Sequence, residues 1–248
     1  MSIIIFLISI IPTVLIIRWM MRRKKEDELY NKSCKSALIR GLISVLPILA
    51  VSLIFNLITA VLKLSLLRDA HVLVNQAIYN FVVLALAEEF VKFLSFRLLL
   101  NKKYNEYTWA DVTAFMVIIG AAFGLVEDIP YAIGASPMVM LVRGFTMGHI
   151  GYGFMMGWFY GKSLYTGKKG FAIISFLLPF LLHGLYDFSL SEELIAVNDN
   201  FAAIGLSLAA LDIVLLVLMI RYFRRSRNKE HYNTPLIVAE KPAEQGNI

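Results

Sequence analysis

Three charged side chains lie within five positions of one apolar stretch: Glu88, Glu89 and Lys92 fall inside residues 72–100. At 1.5 Å rise per residue, that stretch is long enough to cross a bilayer as one helix. A charge near the centre of such a helix costs about 2.5–3.5 kcal/mol on insertion scales. Lys92 is one helical turn from both glutamates, so it can pair with one carboxylate. The other carboxylate needs a partner on another helix or a chemical role.

The three apolar stretches that follow also contain acidic residues, an arginine and histidines. They are Glu127 and Asp128 in the first, Arg143 and His149 in the second, and His183 and Asp187 in the third. The i+4 spacing of the last pair places both side chains on one helical face, where an acid fixes the orientation of an imidazole. Carboxylates and imidazoles on consecutive helices are the groups used for general-base catalysis or divalent-metal binding. We expect them to face one polar cavity.

Each of these residues also has a structural explanation when taken alone. Glu88 and Lys92 have the spacing of a buried ion pair, and a single histidine such as His149 is more often a hydrogen-bonded core residue than a ligand. Asp212, in a later apolar stretch, has no evident partner, and we expect it to form an interhelical hydrogen bond. The combination of polar groups on successive helices is what favours a functional site.

The composition indicates a membrane protein. Of the 248 residues 58% are hydrophobic, whereas a soluble domain has about 45–50%. The apolar runs are continuous, which favours membrane-spanning helices over barrel strands. The net charge of +6 comes from basic residues in short connecting segments, so we expect it to set the topology and expect no nucleic-acid partner. Cys34 is the only cysteine, so an internal disulfide is excluded.

These observations predict an all-α bundle of about seven membrane-spanning helices. The approximate spans are residues 3–21, 38–62, 72–100, 110–133, 138–161, 170–188 and 201–222. With the N-terminus outside and the C-terminus in the cytoplasm, 20 of the 24 lysines and arginines fall in cytoplasmic segments. We therefore expect a multi-pass protein of the cell membrane, with one transmembrane domain (1–223), its catalytic core at about 75–190, and a disordered cytoplasmic tail (224–248).

Four motifs in order resemble those of the PrsW-type intramembrane proteases, bacterial proteins distantly akin to the CAAX-processing and bacteriocin-immunity proteases. The motifs are Glu88-Glu89-x-x-Lys92, Phe123-x-x-x-Glu127-Asp128-x-x-Tyr131, His149 within the segment that begins at Arg143, and His183-x-x-x-Asp187. Asp128 departs from the pattern, since the family often has asparagine there. The resemblance implies proteolysis of a membrane-anchored protein, and the best-known role in the family is first-site cleavage of an anti-sigma factor.

Peptide hydrolysis requires a base for water and a group that stabilises the oxyanion. We expect Glu88 or Glu89 to be the base, with Lys92 pairing the second glutamate. His149 and His183 then polarise the carbonyl directly, or they ligate Zn²⁺ together with Glu127. The soluble-enzyme motif H-E-x-x-H is absent from the sequence, so both a metal-dependent and a glutamic-type mechanism stay open. Asp128, Arg143 and Asp187 have supporting roles in this scheme.

Two other classes of protein are compatible with the same residues. A proton- or ion-coupled transporter also places carboxylates and histidines inside its helices. Against it, the two halves of the chain share no repeated motif. A receptor or scaffold has the same number of spans, but the loops here are too short to form a ligand-binding domain.

The distribution of basic residues predicts the membrane topology. Reporter fusions should place Cys34 and the segment after Arg224 in the cytoplasm, and Ser136 and Asn198 outside. A reporter that is active only outside the cytoplasm should be silent at Lys168. Activity of that reporter at Lys168 would show that the topology is inverted.

Overall fold

A computed structural model describes residues 3–61, 71–100, 105–134 and 136–226, and the regular structure in these ranges is helical throughout, with no strand. The helices are α1 (Ile3–Met21), α2 (Glu28–Ile43), α3 (Val45–Val61), α4 (Val72–Ala77), a π segment (Ile78–Ala85), α5 (Leu86–Leu100), α6 (Trp109–Gly134), α7 (Pro137–Thr146), α8 (Gly148–Thr166), α9 (Lys169–Ser189), α10 (Glu192–Val197) and α11 (Asn200–Ser226).

Five helical stretches of the described residues are long and apolar enough to cross a membrane. They are α1, the run Glu28–Phe55 that joins α2 to α3, α6, α9 and α11. This confirms the prediction of an all-helical, multi-pass chain. The count of seven spans and the orientation of the termini stay predictions. Helix α11 continues to Ser226, beyond its expected end, and the rest of the predicted disordered tail lies outside the described residues.

The third expected span contains a stretch of wider helical winding just before its acidic pair. Over the π segment, backbone bonds reach five residues back, as from the amide of Leu86 to the carbonyl of Phe81. Such segments are rare and occur often at functional sites. The winding changes the angular position of every residue that follows, so it determines which face of α5 carries Glu88 and Glu89.

The fifth expected span is not one helix, which corrects the prediction of an unbroken helix over residues 138–161. Met147 has φ 50°, in the left-handed region, and it ends α7 and precedes α8. That conformation cannot be propagated by L-residues, so the helix must stop and restart there. The break places His149 in the first turn of α8.

Helix α6 forms the centre of the bundle and is buried on all sides from Trp109 to Phe123. It packs closely on α8, because glycines bring the two backbones together. A methyl group on Gly120 would collide with the carbonyl oxygen of His149, and one on Gly153 would lie 2.7 Å from the carbonyl oxygen of Met116. Glycines on α6 and α8 therefore allow the close packing of these two helices.

The end of α1 is held against the start of α6 by polar contacts. Lys24 donates through Nζ to Oδ2 of Asp111 at 2.6 Å, and Arg23 donates to the carbonyl of Ala110 at 3.2 Å. Tyr30 on α2 donates its hydroxyl to the carbonyl of Met20 at 2.7 Å. These contacts fix the first two helices on the central helix.

The close approach of α6 and α8 predicts that a single methyl group is destabilising. Gly120→Ala should lower the thermal unfolding temperature of the purified protein, because overpacking typically costs about 1–3 kcal/mol. Gly170→Ala is the matched control, since nothing lies within 4 Å of a methyl group at that position. Equal unfolding temperatures for the two variants would contradict the packing described here.

Candidate functional site

The acidic pair of α5 is neutralised mainly by its own lysine. Nζ of Lys92 donates to Oε1 of Glu89 at 2.6 Å and lies 3.8 Å from Oε2 of Glu88. All three side chains are buried. A buried charge is tolerated only when it is paired and hydrogen-bonded. The sequence left open which glutamate pairs with Lys92, and the structure places Glu89 in that position.

His183 of α9 joins the acids of α5 to the acid of its own helix. Its Nδ1 lies 2.8 Å from Oε1 of Glu89, and its Nε2 lies 3.1 Å from Oδ2 of Asp187. The expected i+4 pair is therefore present. Because both ring nitrogens face carboxylate oxygens, the orientation of the imidazole is fixed from two sides.

The imidazole of His149, on α8, lies between the amine of Lys92 and the carboxylate of Glu127. Lys92 donates to its Nδ1 at 3.0 Å, so the proton of a neutral ring is on Nε2, which donates to Oε2 of Glu127. The ring centroids of His149 and His183 are 5.1 Å apart at an interplanar angle of 86°. The side chains from α5, α6, α8 and α9 thus form one contact network.

Arg143 of α7 extends the network to the acids of α6. Its guanidinium lies 3.1 Å from Oε2 of Glu127 through one nitrogen and donates through Nε to Oδ1 of Asp128 at 3.1 Å. The same group covers the ring of Tyr131, 3.7 Å from the centroid. One arginine therefore neutralises the acids that the sequence places side by side.

A small cavity opens beside this network. Its volume is about 50 Å³, and its lining includes Glu127, Arg143, His149, His183 and Asp187. One water requires about 10–15 Å³ by this measure, so the cavity has room for a few waters and not for a peptide segment.

The expectation that Glu88 or Glu89 faces the same cavity stays a prediction. Neither glutamate is among its lining residues, and neither is Lys92. Lys92 contacts His149 and Glu89 contacts His183, so these two side chains are connected to the cavity through the imidazoles.

Three side chains offer a set of donors for a divalent cation. Ligand atoms of Glu88, His149 and His183 all lie within 4.8 Å of one another. Oε2 of Glu88 is buried and has no hydrogen-bond partner among the described residues. Two imidazoles and one carboxylate are a ligand set that catalytic Zn²⁺ uses, so the residues fit this ion. The acid of the set is Glu88, and Glu127, the acid predicted from the sequence, contacts His149 and Arg143.

Two residues near the site were not assigned to it from the sequence. Tyr152 stacks on His183 with ring centroids 5.3 Å apart, and its i+3 spacing from His149 was a usable signal. Asp212 of α11 is 2% exposed and lines the cavity beside Gly148. The interhelical hydrogen bond expected for Asp212 is not made by its Oδ2, which has no partner among the described residues.

Comparison with known proteins gives one consistent result. The sequence model of a family described as PrsW family intramembrane metalloprotease matches residues 34–223. A protein named Protease PrsW from Shouchella clausii is 28% identical over 176 residues, which is 66% of this chain and 75% of the relative. Its namesake from Clostridioides difficile is 27% identical over 199 residues, which is 76% of this chain and 79% of the relative. No solved structure matches the chain significantly.

The pairing of Lys92 predicts a strong effect on folding. Lys92→Met leaves two buried carboxylates without their cation, and breaking a buried pair costs about 3–5 kcal/mol. We expect lower accumulation in membranes and a lower unfolding temperature for the purified protein. Lys169→Met, at an exposed position, is the matched control.

The double variant Glu89→Gln with Lys92→Met tests the cause of that effect. Removing the partner charge should recover part of the lost stability, since one stranded carboxylate is gone. If the double variant were as unstable as Lys92→Met alone or worse, the Glu89–Lys92 pair would not be the origin of the loss.

Proposed function

The chain belongs to the PrsW family of intramembrane metalloproteases, and we propose that the network around Glu88, His149 and His183 is its catalytic centre. The chain is accordingly a peptidase, and its family membership favours this activity over the transporter that the sequence left open. The substrate is a protein anchored in the same membrane, which we propose to be the plasma membrane of a bacterium.

The observation that supports this proposal best is the different environment of the two adjacent glutamates. Oε2 of each glutamate is buried without a hydrogen-bond partner among the described residues, so the difference lies in their closest contacts. Glu89 is held through Oε1 by Lys92 at 2.6 Å and by His183 at 2.8 Å, whereas Oε2 of Glu88 lies 3.8 Å from each of these two residues. A general base needs a free lone pair directed at the reacting water. We therefore assign the base to Glu88 and a positioning role to Glu89.

The chemical step follows from that assignment. Glu88 takes a proton from a water molecule, whose oxygen attacks the carbonyl carbon of the substrate. The C–N bond then breaks, and Glu88 returns the proton to the departing amine. Glu89 and Asp187 hold the ring of His183 from both sides, and Lys92 and Glu127 hold that of His149. These contacts preorganise the imidazoles, so that little rearrangement accompanies the reaction.

In the alternative, metal-dependent mechanism, the side chains of Glu88, His149 and His183 would hold the divalent ion that the family description implies, and Glu88 would then be a ligand and not the base. A bound zinc ion would polarise the carbonyl and make water a stronger nucleophile. In such a site one nitrogen of each imidazole would be a ligand in place of its contact with Lys92 or Glu89, and the other would keep its hydrogen bond to Glu127 or Asp187. Glu127 and Asp187 are the partners that orient the rings in this arrangement.

The substrate proposed for the chain is an anti-sigma factor, as the family resemblance implies. A helical substrate has its backbone carbonyls engaged in hydrogen bonds, so the segment that is cut must be locally extended. The small cavity supports this, since it does not accommodate a helix about 10 Å across.

Replacing Glu88 by Gln tests the base. The change keeps the shape of the side chain but removes the proton acceptor, which typically contributes 10²–10⁴-fold to the rate. Wild type and Glu88→Gln are expressed in a deletion strain, and fragments of membrane proteins are quantified by mass spectrometry. Fragments that end near a membrane span should disappear with Glu88→Gln, while the variant accumulates normally. An anti-sigma factor among them would identify the proposed substrate.

Two further variants make this comparison specific. Glu193→Gln alters an exposed glutamate and should leave the fragments unchanged. Asp187→Asn should reduce them less than Glu88→Gln, because it only perturbs the orientation of His183. If Asp187→Asn abolished cleavage while Glu88→Gln stayed active, the base would lie elsewhere.

The zinc content of purified variants distinguishes a metal-dependent mechanism from one in which Glu88 acts only as the base. If the ion is held by Glu88 and the imidazoles, purified Glu88→Gln should retain less zinc than wild type, and Glu127→Gln should retain more than Glu88→Gln. Equal zinc in wild type and Glu88→Gln, with cleavage still lost, would leave Glu88 as the base and remove it from the ligand set.

A further inference from the structure

A second cavity lies away from the residues of the catalytic network. It is a groove of about 540 Å³ between α2, the start of α3 and α5, and we name it the α2–α5 groove. Its lining shares no residue with the cavity beside His149 and His183. The groove is therefore a separate feature.

One end of the groove is basic. Lys32, Lys35 and Arg40 line it from α2, and the i+4 spacing of residues 32, 36 and 40 places Lys32, Ser36 and Arg40 on one face of the helix. Arg40 donates through Nε to Oγ of Ser36 at 3.3 Å. Within the described residues, no carboxylate forms an ion pair with any of the three cations. A concentration of positive charge is thus available to an anion.

The remainder of the groove is mainly apolar, with Ser44 and Ser95 as its polar residues. Ile39, Ile43 and Pro47 continue from the basic end along α2 and α3, and Val91 of α5 forms the opposite wall. Ile39 is 55% and Ile43 is 53% exposed. From residue 39 to residue 47 a helix rises about 12 Å, which is within one leaflet of a hydrocarbon core about 30 Å thick. The basic part of the groove is therefore followed by an apolar part about 12 Å long, which fits within one leaflet of the membrane.

We propose that the α2–α5 groove is a binding site for an anionic glycerophospholipid. The phosphate lies among Lys32, Lys35 and Arg40, and an acyl chain follows Ile39 and Ile43. The basic part of the groove corresponds to the phosphate headgroup of such a lipid. The adjoining apolar part corresponds to an acyl chain, in the same order and over a similar length. Basic pockets between membrane helices are a recognised class of lipid headgroup site. A free phosphate ion would leave the apolar part of the groove uncovered.

Lipid retention by the purified full-length protein tests the proposal. The protein is delipidated in detergent, mixed with phosphatidylglycerol or phosphatidylcholine, and analysed by native mass spectrometry. Wild type should retain phosphatidylglycerol in preference to phosphatidylcholine. Lys32→Gln with Lys35→Gln should weaken phosphatidylglycerol binding by about thirty-fold, because each interfacial cation contributes about 1 kcal/mol, a factor of about five.

Matched variants separate a specific site from general attraction to negative lipids. Lys168→Gln with Lys169→Gln removes the same number of charges at exposed positions outside the groove and should bind like wild type. Ile43→Trp keeps the cations but fills the apolar part, and it should also lower retention. Equal losses in both double variants, or undiminished binding by Ile43→Trp, would overturn the proposal.

Other occupants of the groove give different results. Competition by inorganic phosphate as effective as that by phosphatidylglycerol would indicate an anion site without a lipid. Higher lipid retention after removal of residues 227–248 would indicate that the chain's own tail occupies the groove. A dimer dispersed by Ile43→Trp would indicate a second copy of the chain. Each of these results would replace the lipid as the occupant.

Discussion

The ion pair between Lys92 and Glu89 is the contact on which the arrangement of the site depends. Neither charge is stable in a bilayer without the other. Once paired, each still has hydrogen-bonding capacity, which Lys92 directs to His149 on α8 and Glu89 to His183 on α9. One pair on α5 thus determines where two further helices place their imidazoles. The cost of burying these charges is the reason why the helices cannot rotate independently.

Backbone geometry makes those contacts sterically accessible. The break at Met147 places His149 at the start of α8, and glycines on α6 allow its backbone to come close. Gly124 leaves room for the ring itself, since a methyl group there would lie 3.3 Å from Cδ2 of His149. A larger residue would displace the imidazole from Lys92 and Glu127. The glycines and the left-handed methionine therefore serve the site as well as the packing.

Much of this site could be predicted from the sequence, because local spacing determines which side chains share a helical face. The i+3 relation of Glu89 to Lys92 and the i+4 relation of His183 to Asp187 were both found in the structure. The rotation of one helix relative to another is not encoded in spacing. For that reason the sequence does not show that Glu88 comes close to both imidazoles, and the place of Glu127 among the metal donors stays a prediction.

The departures from regular helix geometry were not predictable by periodicity. The π segment before α5 and the break at Met147 occur in apolar stretches whose pattern is that of continuous helices. Asp212 was noticed as a polar residue in such a stretch, but its position on the cavity wall depends on how α11 packs. Tertiary packing decided these features, and local propensity did not.

Because these groups share contacts, the site acts as a unit rather than as a set of separate residues. Oε1 of Glu89 serves both Lys92 and His183, and Oε2 of Glu127 serves both His149 and Arg143. Removal of one member changes the surroundings of at least two others, in an environment of low dielectric where each interaction is strong. Energies measured for single substitutions here will not add, and only double-mutant cycles can apportion them. The same coupling explains why polar groups so costly to bury occur together on four adjacent helices.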